Sequence, residues 1–111
     1  MPFDGEGFSE QSGDEIALLL VARNLLRTRQ RWWRGKQFSL SDALGETRHC
    51  AMMALSAATA ADFNYQIFQL AHKRLKDQLP AQFAGIVARF NDDPGTTHAD
   101  VLALFDRAIE A

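Results

Sequence analysis

Apolar residues in this chain recur at three- and four-residue intervals, and that period limits the fold more than any other feature. Ile67, Leu70, Ala71 and Leu75 share one helical face, and Val101, Leu104, Phe105, Ala108 and Ile109 form another stripe. Phe83, Ile86, Val87 and Phe90 have the same helical spacing. No segment alternates apolar and polar residues as a half-buried strand does, and Asp4-Gly5 flanks no strand-like run. The pattern predicts an all-α fold, a compact single-domain bundle of about five helices, with no internal repeat.

Capping residues set the expected boundaries. Ser12-Gly13-Asp14-Glu15 is a capping-box pattern and opens a helix over residues 14–30, whose broad apolar surface implies neighbours on several sides. Ser39 and Asp42 offer a second start, for a helix to residue 61. Its small-residue run, Cys50 to Ala58, suits a buried central position. Asp62 is placed to cap a helix over residues 63–79, and Pro80 suits the first position of the next. Residues 91–97 read as a turn in which Pro94-Gly95 makes the reversal, with Gly95 free to take a positive φ, and Thr97-x-x-Asp100 is a further capping box. Residues 1–12, acidic and glycine-rich, read as a flexible arm, and residues 13–111 as the helical domain.

Composition removes several classes of protein. At 111 residues the chain suits one domain, and its 47% hydrophobic content and net charge of −2 exclude wholesale disorder. One cysteine excludes an internal disulfide framework and a C-x-x-C zinc cluster. His49, His72 and His98 show no zinc spacing, and Gly5, Gly7 and Gly13 form no phosphate loop, so neither metal nor cofactor is expected. The longest apolar runs fall short of the ~20 residues that cross a bilayer, and the N-terminus lacks the apolar stretch of a signal peptide. A cytoplasmic protein with no membrane partner is the expectation.

Trp33-Arg34-Gly35, Cys50-Ala51-Met52-Met53-Ala54-Leu55, Phe90-Asn91-Asp92-Asp93-Pro94-Gly95-Thr96-Thr97 and Val101-Leu102 follow one another in that order. This resembles a functionally uncharacterised family of short bacterial and phage proteins. Its members show roughly G-W-x-x-G, then W-C-x-x-G-A-L, then W-N-D-x-P-G-x-T-x-x-x-V-L. The likeness runs from about residue 18 to the C-terminus, and the last block is its most specific part. Trp32 stands where the family often has Gly, His49 and Phe90 each replace a Trp, and Met53 replaces a Gly, making the central helix bulkier. The resemblance implies a lineage and brings no activity.

Three constellations are chemically suggestive. Six of the chain's 12 basic residues lie within residues 23–36 beside Trp32 and Trp33, and no acid occurs over residues 16–41. Arg23, Arg27, Arg31 and Arg34 would line one face of a continuous helix. Arg27, Arg31, Trp32, Trp33 and Arg34 are therefore the expected contact surface of a small non-catalytic interaction module, with a protein as its leading partner. Nucleic-acid binding by the same segment is a further reading, opposed by the slightly acidic overall balance. Cys50 is a weak candidate for a thiol-dependent enzyme. In that reading, or in simple small-molecule binding, a pocket would lie between its helix and the corner bearing Asn91, Asp92 and Thr97. An apolar run around Cys50 and complete turn chemistry at the corner favour structural roles for both. Phe63, Tyr65 and Phe68 form an aromatic group able to close either a monomer or a homodimer.

Overall fold

The computed structural model describes residues 6–34, 39–41, 47–59 and 64–111. Five α-helices carry these residues: α1 (Glu6–Leu25), α2 (Ala51–Thr59), α3 (Tyr65–Asp77), α4 (Val87–Asp92) and α5 (His98–Glu110). Two short strands, β1 (Ser39–Ser41) and β2 (Thr47–His49), and single 3-10 turns at Arg29–Arg31 and Ala81–Phe83 complete the described elements. The fold is all-α.

α1 packs against α2, α3 and α5, while α2 also meets α3 and α4. Leu19, Ala22 and Leu26 from the first helix and its exit meet Ala51, Ala54 and Leu55 from α2, and Ala71 and Leu75 from α3. Val101, Leu104, Phe105 and Ala108 close the core from α5. Alanine at Ala22, Ala51, Ala54 and Ala71 removes side-chain bulk where helices meet, and each buried Leu or Phe contributes about 1.5–3 kcal/mol. α1 buries one face only, since Leu20 and Val21 remain about half exposed. Three helices thus neighbour it, and one side stays open.

Several boundaries differ from the sequence expectation, each for a local reason. α1 begins at Glu6, so residues 6–12 are helical and Ser12 lies inside the helix, while residues 1–5 lie outside the described part. The Glu15 carboxylate, instead of closing a box, meets Arg74 of α3 at 3.3 Å. α1 stops at Leu25, short of residue 30. Continuing it would stack Arg23, Arg27 and Arg31 at like-charge spacing, which destabilises a helix. Those arginines therefore share no single helical face.

Residues 39–41 and 47–49 pair antiparallel, with Ser39 opposite His49, Leu40 opposite Arg48 and Ser41 opposite Thr47. A helix was expected there. Gly45 weakens such a helix, and strands of three residues are too short for alternation to show in sequence. Asp42 lies outside the described residues, as do Asp62 and Phe63. The cap of α3 is Asn64, whose side chain accepts from the amides of Gln66 and Ile67 at 3.0 and 3.2 Å. Phe68 packs against the core from α3, whereas Tyr65 is exposed.

Residues 80–92 do not form one helix. Pro80 precedes the 3-10 turn, and Ala84 and Gly85 then take left-handed φ values of 53° and 73° before α4 begins. Ile86 is consequently exposed, while Phe83 and Phe90 meet edge to face at 5.2 Å. At the following corner Gly95 does not take a positive φ. Its amide donates to Asp93 Oδ2 at 2.9 Å, and the Thr96 amide closes the turn onto the Asp93 carbonyl at 3.0 Å. The expected box at Thr97 and Asp100 is present in full and opens α5.

Candidate functional site

Asn91, on the last turn of α4, is fully buried and joins three distant parts of the chain. Its Oδ1 accepts from Trp32 Nε1 at 2.7 Å and from the Ala51 amide at 3.0 Å. Its Nδ2 donates to the Trp33 carbonyl and to Asp92 Oδ1, both at 3.0 Å. A carboxamide offers two donors and two acceptor lone pairs, so all four are used. The Ala51 amide is one of those left unpaired at the start of a helix, and Asn91 satisfies it from outside. Cys50 serves the same helix end. Its Sγ accepts from the Met53 amide at 3.4 Å, and its carbonyl accepts from Ala54 at 2.9 Å.

Trp32 has a cation over its ring and a second ring beside it. The Arg34 guanidinium lies 5.1 Å from the ring centroid, and the His98 ring lies 6.0 Å away, tilted by 36°. Each neighbour is itself fixed. Arg34 donates to the Thr96 carbonyl, and His98 Nε2 donates to the Leu26 carbonyl at 2.6 Å. On the other edge of the segment the Trp33 amide donates to the His49 carbonyl at 2.9 Å, and Trp32 bridges to His49 in parallel. Residues 32–34 are thus fastened to β2 and to the 91–97 corner. Loops held by scaffold contacts of this kind present side chains in fixed positions.

An open depression of about 460 Å³ lies along this segment, lined by Arg29, Gln30, Trp32, Trp33, Arg34 and Arg48. A second, of about 470 Å³, shares Gln30 and is lined by Arg27 and Arg31 together with Asn24, Leu25 and Thr28. Among the described residues no acidic one lines either depression. Arg23 is turned away from this surface and pairs with Asp106 of α5 at 2.5 Å. Two of the residues lining the first depression carry a buried polar atom without a hydrogen-bond partner among the described residues, Trp33 Nε1 and Arg48 Nε, and His49 Nδ1 is unpartnered as well. Burial, and then the charge of Arg31, lowers the pKa of His49 below its ordinary value.

The five expected contact residues line these two depressions, Arg27 and Arg31 in one and Trp32, Trp33 and Arg34 in the other, along a 3-10 turn and an extended segment and not along a helix. Arg29, Gln30 and Arg48 belong to the lining as well. Arg29 and Gln30 lie inside the basic stretch visible in sequence, whereas Arg48 arrives from β2 and has no sequence signal.

The other candidates have structural uses. Cys50 is 2% exposed, and burial raises its thiol above the usual value, with the Asp92 charge adding to this against the amides of Met53 and Met52. His98 is engaged at Leu26, and His72 packs against Phe68 at 6.0 Å, so the described structure brings neither to the thiol. Thr97 caps α5, and Asp92 receives a hydrogen bond from Asn91. A cavity of about 400 Å³ lies beside the corner, lined by Phe83, Phe90, Asp93, Thr96, Asp100 and Arg107 among others. Asn91, Asp92 and Thr97 are not among its walls. No cluster of three or more metal-ligating side chains occurs among the described residues, and no helix there is long and apolar enough to cross a membrane.

Residues 12–111 match the model of a family of unknown function, DUF6197, and the chain belongs to that family. No curated protein and no solved structure matches it.

Proposed function

From membership in a family without an assigned activity, we propose that this protein is a small, non-catalytic, cytoplasmic interaction module. Its contact surface is the basic face formed by Arg27, Arg29, Arg31, Arg34 and Arg48 with Trp32 and Trp33. One observation carries the reading: these residues line two depressions that meet at Gln30, and among the described residues no acidic one stands in either. Arginine and tryptophan are the side chains most enriched where binding energy concentrates. Trp32 and Arg34 are already held by Asn91, His98 and Thr96, so little ordering cost remains at binding. The motif resemblance supports a bacterial or phage-related origin.

The test is quantitative capture of partners from the native host's lysate by the full chain and by charge-reversed variants. Arg29→Glu with Arg48→Glu is expected to abolish capture of the specific partner. Arg89→Glu, a reversal on the exposed side of α4, is expected to leave it intact. Equal capture by all three proteins overturns the reading.

A further inference from the structure

Resting on that reading, we infer that the depression at Trp33 and Arg48 takes the carboxylates of an acidic segment in a partner protein. The argument begins with the buried atoms that lack partners. Indole Nε1 and guanidinium Nε donate and never accept, so Trp33 Nε1 and Arg48 Nε both lack an acceptor. Buried donors left unpaired are expensive, and native structures carry few of them, so two on residues of one depression call for a reason.

The surrounding charge says what kind of acceptor fits. Arg29, Arg34 and Arg48 line the depression with no carboxylate among its described lining residues. An anionic oxygen meets that requirement, and guanidinium with carboxylate gives the paired, charge-assisted geometry that arginine favours. Carboxylate and phosphate share this chemistry, so the aromatic residues decide between their carriers. Sequence-tolerant binding of single-stranded nucleic acid depends on open aromatic faces on which bases stack. Trp32 is a poor one, because Arg34 already lies over its ring and Asn91 takes its N–H. Trp33 is half-buried and supplies an unmatched donor. The site is a set of hydrogen-bond donors in which Arg34 already occupies the Trp32 ring, on a chain whose net charge is −2. That combination favours a short acidic peptide over a long polyphosphate.

With only two tryptophans, the indole N–H signals of the ¹⁵N-labelled full chain report the site directly. Trp33→Phe assigns them. Titration with a short polyglutamate peptide is expected to move the Trp33 indole signal downfield while the Trp32 signal, already bonded to Asn91, stays in place. Arg48→Gln is expected to weaken that binding about tenfold or more, and an unmoved Trp32 signal in the variant shows the Asn91 contacts intact. An oligothymidylate of matched charge is the competing probe. Tighter binding of the oligonucleotide overturns the acidic-peptide inference and leaves the basic face as the contact surface. Failure of both probes to move the Trp33 signal overturns the inference as well, and the lysate capture then judges the surface on its own.

Discussion

At the scale of single residues the most consequential side chain is an amide without a charge. Asn91 satisfies the first amide of α2, fixes Trp32 through its indole and holds the Trp33 backbone, all from a fully buried position. Asn91→Ala would strand two buried donors and the Trp33 carbonyl together. We expect it to destabilise the fold by about 3 kcal/mol, read as a shift in the urea midpoint. Asn91→Asp should rescue little, because a carboxylate cannot donate to the Trp33 carbonyl. A loss below about 0.5 kcal/mol would show that these contacts are not holding the segment. Sequence marked Asn91 as a helix end or a ligand candidate. Its partners stand 59, 58 and 40 residues away, and no local spacing encodes such a meeting. Cys50 was more legible, since its apolar run pointed to burial. Its use as a cap was not, because thiols are weak acceptors and do not figure among the usual capping residues.

At the scale of elements, local signals held where they were self-contained and failed where charge or backbone conformation intervened. The Thr97–Asp100 box is present because both of its hydrogen bonds lie within four residues of chain. The 80–92 segment had the better apolar period, yet two consecutive left-handed residues divide it. Glycine tolerates that conformation and alanine does not, at a cost of about 1–2 kcal/mol. Ala84→Gly is therefore expected to raise stability by about 0.5–1 kcal/mol. A melting temperature that falls in this variant would contradict the φ of 53°. α1 shows the opposite limit. Its apolar and cap pattern gave a helix, but the start lay at Glu6 and the end at Leu25, where repulsion between stacked arginines outweighs their good helix propensity.

At the scale of the whole molecule, ion pairs connect helices far apart in sequence. Arg74 of α3 meets Glu15 of α1 and donates to the carbonyls of Ala108, Ile109 and Ala111, tying three helices at the C-terminal end of α5. Titration of the core is also a property of the whole. Burial, then Lys76, lowers the pKa of His72, and burial, then Arg31, lowers that of His49. Below the ordinary histidine value of 6.5 the unfolded chain takes up protons that the folded one resists. Stability is thus fully present above that value and declines as pH falls toward the folded values. The melting temperature should drop between about pH 7 and pH 5.5, and His72→Gln should flatten the drop. A melting temperature that rises on acidification would reverse the sign and refute the account. The Asn91 contacts also order events during synthesis. A ribosome that has released Trp32 must add 59 more residues before Asn91 exists to hold it. The basic face is accordingly a late product of translation, and chains cut short before α4 carry the arginines without the surface.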